Sequence, residues 1–108
     1  MWSGGYMKNI KTLERKRYSI LTDNLDYCYL CGRHRDHLHE IYFGNNRVNS
    51  MKYGCVVPLC LYCHNRVHND YSIDLSLKQE CQLKFMEVYE CNEDEFIEIF
   101  HKNYIRHR

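Results

Sequence analysis

Cys28-Tyr29-Leu30-Cys31 and Cys60-Leu61-Tyr62-Cys63-His64-Asn65-Arg66-Val67-His68 are the stretches whose reading decides the fold. Each Cys-x-x-Cys turn can offer two sulfurs along one edge of a tetrahedron, and two such turns complete the thiolate set of one structural zinc. Cys28, Cys31, Cys60 and Cys63 are therefore expected to bind a single Zn2+. A redox dithiol is the ordinary alternative, but one motif would suffice for it and no thioredoxin-like βαβ pattern surrounds either pair. Cys55, Cys81 and Cys91 remain, and read as small buried hydrophobes.

The rest of the chain fits a small domain that needs such a staple. It has 108 residues, one proline and five glycines, enough for a single domain with a modest apolar core. The seven cysteines are an odd number, and the first residues carry no charged segment followed by an apolar one. The expectation is an intracellular, reduced protein. No apolar run is long enough to cross a bilayer, so no membrane partner is expected. The net charge of +1 conceals an asymmetry: residues 1–68 hold ten Lys/Arg and five Asp/Glu, whereas residues 69–108 hold five and nine. A basic half that also carries metal ligands suits a polyanionic partner.

Outward from the knuckles, residues 1–26 form a basic lead-in, with a short helix expected between Lys8 and Leu25 and a cationic cluster at Lys11, Arg15, Lys16 and Arg17. His37 to Tyr42 alternate in polarity, Val56, Val57 and Leu59 form a second apolar run, and Gly44-Asn45-Asn46 is a turn signal between them. Together they predict a β-hairpin with a long loop. A short helix follows from about Tyr62 to Asn69, with the second knuckle at its N-terminal end. In the tail, Asp74 or Ser76 is expected to open a helix presenting Leu77, Cys81, Phe85 and Val88 on one face. Asn92 and Glu95 form a capping-box pattern for a last helix carrying Phe96, Ile97, Ile99 and Phe100.

His64 and His68 are four apart, so on a helix they project from one face and can reach one ion. His39 lies on the first hairpin strand, which crosses near that helix once zinc joins the knuckles. Three imidazoles with an open position describe a hydrolytic metal site. His34, His37, His101 and His107 read as surface or hydrogen-bonded histidines.

At these residues the sequence resembles the HNH endonucleases, in particular small phage-type members with a cysteine-bound zinc. The resemblance runs from Tyr27 to Asp70 through Cys28-Tyr29-Leu30-Cys31-Gly32, His39-Glu40-Ile41-Tyr42-Phe43-Gly44, Lys52-Tyr53-Gly54 and Pro58-Leu59-Cys60 to His68. The tail, ending Phe100-His101-Lys102-Asn103-Tyr104, is similar to those of such phage proteins. The resemblance implies an α+β fold, a zinc-stapled ββα-metal (His-Me) finger over residues 27–70, with residues 71–108 as a helical tail packed on it. It also implies a second divalent ion, Mg2+ or Mn2+, that binds the scissile phosphate and is held by His39, His64 and His68.

Two positions depart from the family pattern. Glu40 stands where the water-activating histidine is usual, and is assigned to assist the water or bind the ion. The usual central asparagine is replaced by Gly54-Cys55, leaving Asn45, Asn46 or Asn49 to serve. His39 and Glu40 are adjacent on a strand, so both can face one ion only across a bend or bulge. The resulting expectation is a metal-dependent endonuclease that nicks or cuts DNA, with His39, Glu40 and His64 catalytic and Arg47, Lys52 and Arg66 on flanking phosphates. The alternative is a zinc-stapled DNA-binding or adaptor module of the same fold without cleavage. A homodimer or a larger phage or host complex is compatible with either.

Overall fold

The computed structural model describes residues 10–105. Lys8, in the expected N-terminal helix, and His107 lie outside that range. The chain is a small α+β unit built on one two-stranded antiparallel sheet. In order it runs α1 (residues 10–15), β1 (His37–Glu40), a 3-10 turn (Gly44–Asn46), α2 (Arg47–Lys52), β2 (Val56–Leu59), α3 (Leu61–Asn69), α4 (Tyr71–Val88) and α5 (Glu93–Phe100).

The strands pair in an unbroken register, His37 with Leu59, Leu38 with Pro58, His39 with Val57 and Glu40 with Val56. β2 is buried throughout, which explains its continuous apolar run rather than alternation. The first knuckle is stitched to this sheet, because the Tyr29 amide donates to the Pro58 carbonyl (2.8 Å) and the Asp36 amide to the Leu59 carbonyl (3.0 Å). Gly32 supplies the left-handed corner, at φ +82°.

Helix starts and stops follow side-chain chemistry. Cys60 is the N-cap of α3, its Sγ accepting from the Cys63 amide. Asp70 ends α3 and caps α4, where its carboxylate accepts from the Ser72 amide. α4 therefore opens at Tyr71, earlier than Asp74 or Ser76, since a shared cap leaves no loop to mark the boundary. Val88 is 44% exposed and does not join the Leu77, Cys81 and Phe85 face. The capping box at Asn92 and Glu95 is present at the start of α5.

Among the described residues α1 ends at residue 15, well before Leu25; beyond it the chain is an irregular strap whose Ile20 and Leu21 pack against the core. The loop between the strands holds α2, which its Gly and Asn residues did not signal. The core gathers Ile41, Tyr42, Val57, Leu59, Val67, Leu77, Phe85, Phe96 and Phe100 around the buried knuckle cysteines. Tyr42 sits between Phe96, Phe100 and Tyr104 at ring-centroid distances of 4.6 to 5.5 Å, a dense aromatic centre that seats α5 on the sheet. No helix among the described residues is long and apolar enough to cross a membrane.

Candidate metal centre

The ligand atoms of Cys28, Cys31, Cys60 and Cys63 all lie within 4.8 Å of one another. Tetrahedral thiolates around zinc stand roughly 3.8 Å apart, and Cys31 Sγ is 3.6 Å from Cys60 Sγ. Electrostatics favour a cation here. Burial pushes the Cys28 thiol up, but amides of Cys60, Cys31 and Leu30 pointing at its sulfur outweigh this and bring it down to about 6. Burial and the neighbouring sulfurs of Cys28, Cys60 and Cys31 instead push Cys63 up to about 12. The Cys28 thiolate forms readily while Cys31 and Cys63 are held back by neighbouring sulfurs; a dication at the centre would relieve that repulsion.

A second group consists of His39, His64 and His68, whose ligand atoms also lie within 4.8 Å of one another. His64 Nε2 and His68 Nε2 are 3.2 Å apart, close to the roughly 3.4 Å between nitrogens on one tetrahedral ion. His39 is 4% exposed, and its Nε2 is buried without a hydrogen-bond partner. An orphaned buried nitrogen is costly unless something accepts its lone pair or proton, and a metal ion is one such partner. Burial, then the charges of His64, His68 and Lys78, lower His39 to about 3, so its lone pair is free at neutral pH. Burial, then His68 and His37, lower His64 too. The donor set fits a divalent ion. Imidazoles suit Zn2+, Fe2+ or Ni2+ better than the oxygen-preferring Mg2+ and Mn2+, and no carboxylate among the described residues joins the group; of the two expected ions Mn2+, at the foot of the transition-metal affinity series, fits better than Mg2+.

No family model, no curated protein and no solved structure matches this chain. The site is therefore read from its own geometry.

Glu40 is not brought into the histidine group. The register passes through it without a bulge, so it points to the face opposite His39. There its carboxylate accepts from Arg17 Nη1 (2.8 Å) and Arg47 Nε (3.0 Å). Arg47 also pairs with Glu14. The placement offers Glu40 a structural task in place of the one assigned to it on the water or the ion, and it occupies Arg47, which was expected on phosphate. Arg66 lies two residues beyond His64, roughly 200° around α3, with its guanidinium over the Tyr62 ring at 5.6 Å. Lys52 is exposed at the end of α2, its ammonium 5.6 Å from the Tyr53 ring centroid.

The loop asparagines do other work. Asn46 Nδ2 donates to the Phe100 carbonyl (3.1 Å) and Asn49 Nδ2 to the Ile99 carbonyl (3.0 Å), satisfying acceptors that the end of α5 would leave open. Asn45 is exposed in the 3-10 turn.

Three residues beside the trio were not singled out as site residues. His37 stacks on His64 at 4.7 Å between ring centroids; its place two residues before His39 on a strand was the available signal, because it puts both on one face. Phe43 touches His39 and His68, and Lys78 reaches Phe43 from α4. Nothing in the sequence around Lys78 marks it, since its proximity arises only when α4 packs.

Proposed function

We propose that this chain is a zinc-stapled, metal-dependent phosphodiesterase of HNH type that nicks or cuts DNA. The observation that carries the reading is the convergence of His39, His64 and His68, with a buried unpartnered nitrogen among them. A divalent ion held there would polarise a phosphoryl oxygen and make bound water more acidic. β1 supplies one imidazole and α3 two, and the cysteine site ties these elements together, so a zinc at the knuckles fixes the geometry of the imidazoles without touching substrate. With Glu40 engaged by two arginines, His37 is the titratable side chain that β1 presents on the trio's face, and it is the group we assign to take the proton from the attacking water. Phosphate contacts carry no sequence information, so weak intrinsic specificity is expected, with any partner in a phage or host complex directing the cut.

The test is conversion of supercoiled plasmid by protein supplied with Mn2+ or Mg2+, using wild type, His64→Ala, His37→Ala and Glu40→Gln. Nicking is expected with Mn2+ in excess of Mg2+, lost in His64→Ala, reduced about a hundredfold in His37→Ala and retained within a few fold in Glu40→Gln. A second reading, a DNA-binding or adaptor module without hydrolysis, is favoured by the same capture of Glu40 by Arg17 and Arg47. Wild type that shifts plasmid in a gel yet leaves it supercoiled under both ions would establish that reading instead.

A further inference from the structure

Tyr42 and Phe43 are adjacent aromatics with opposite fates. Tyr42 is 1% exposed, whereas Phe43 is 44% exposed. The Phe43 ring stands 6.0 Å from His39 and 5.5 Å from His68 between centroids. It is an exposed apolar ring that meets two members of the metal-ligand trio, while the exposed His37 ring stacks on the third, His64. Lys78 Nζ lies 4.3 Å from the Phe43 ring centroid. That ammonium is held by Asp74 at 2.9 Å, both side chains being largely covered. The Phe43 ring thus has the imidazole trio and a fixed cation as immediate neighbours.

That grouping matches the parts of one nucleotide step. A phosphate drawn to the imidazole site leaves the neighbouring base within reach of the ring, and any base can stack there because every base has a π face. A base inside a continuous duplex is already stacked and paired, and must leave that stack to reach a protein ring. The next phosphate along the strand would meet the Lys78 cation.

We infer that Phe43 is a stacking platform for an unpaired base flanking the reacting phosphate, with Lys78 on the adjoining phosphate, so that the substrate class is single-stranded or locally unpaired DNA. This rests on the phosphodiesterase reading for the word reacting; the platform itself is a binding claim. Stacking and charge leave different signatures, because a neutral ring releases no counterions from the strand whereas a lysine does.

The experiment is fluorescence anisotropy of Mn2+-loaded full-length protein with a labelled oligonucleotide as single strand, as perfect duplex and as duplex with a short central bulge, each across a salt series. Wild type is expected to bind the single strand and the bulge at least about tenfold more tightly than the duplex. Phe43→Leu should lose roughly ten- to hundredfold on those two forms, with an unchanged salt slope, and Phe43→Trp should restore the affinity. Lys78→Gln should flatten the salt slope by about 0.7, one phosphate on a single strand. Equal or tighter binding to duplex by wild type overturns the proposal. So does a Phe43→Leu loss that is uniform over the forms, or Phe43→Trp behaving like Phe43→Leu. If the pattern holds but none of the strands is cut, the platform stands and the hydrolytic reading alone falls.

Discussion

His39 is held neutral by its surroundings, and that has a measurable cost in acid. Burial first, and then the charges of His64, His68 and Lys78, lower its pKa from 6.5 to about 3. The unfolded chain takes up this proton before the folded one does, so the contribution to stability is complete above 6.5 and is lost as pH falls toward 3. The metal-free protein should lose about 5 kcal/mol at most across that window, read as a falling urea midpoint, and His39→Gln should flatten the dependence. Glu40 carries the opposite kind of role. Its carboxylate joins Arg17 to Arg47 in a partly covered network, so Glu40→Gln should lower stability by about 1–2 kcal/mol in thermal melts. An unchanged melt with abolished nicking would return Glu40 to the water. His64 and His68 were legible because they obey a local period, four on a helix, and His39 joined them through the strand expected to cross near that helix and through the family resemblance. The Glu40 pairing was not, since Arg17 is 23 positions away and nothing local announces a partner at that distance.

At the scale of elements, a boundary could be read where a cap has a reciprocal partner, and not where, as at Asp70, one residue ends a helix and caps the next. The Asn92 and Glu95 box is one, with the Asn92 side chain accepting from the Glu95 amide at 2.9 Å; Asn92→Ala should cost about 1 kcal/mol in chemical denaturation. α2 escaped notice because Gly44, Asn45 and Asn46 read as a turn, and its helix is imposed from outside by the burial of Ser50 and Met51 and by the asparagine bonds to α5. Gly54 closes the same loop at φ +76°, where an added Cβ would lie 2.5 Å from Tyr18 Cε2. Gly54→Ala should therefore destabilise by about 1–3 kcal/mol, through both the left-handed backbone and the displaced tyrosine. A melting temperature equal to wild type would show that the Tyr18 strap yields freely.

In the whole molecule the cysteine site is continuous with the core, since Cys28, Cys60 and Cys63 are buried in the same cluster as Val57, Leu59 and Phe85. Removing zinc would leave crowded thiols inside that cluster, so a strong chelator should abolish the cooperative melt, and re-added Zn2+ should restore it while Mn2+ does not. A cooperative transition that survives verified zinc loss would remove the staple from the account. Composition pointed to this dependence because a chain of 108 residues has little core to spare; the place of Tyr42 in the aromatic centre was not foreseen, as it joins a mid-chain residue to Phe96, Phe100 and Tyr104 more than fifty positions later. The asparagine bonds to Ile99 and Phe100 impose an order of assembly as well. During synthesis both knuckles and all three imidazoles emerge well before the anchors of the interstrand loop, so a nascent chain can gather both ligand groups early yet cannot fix the loop beside Phe43 until α5 has left the ribosome.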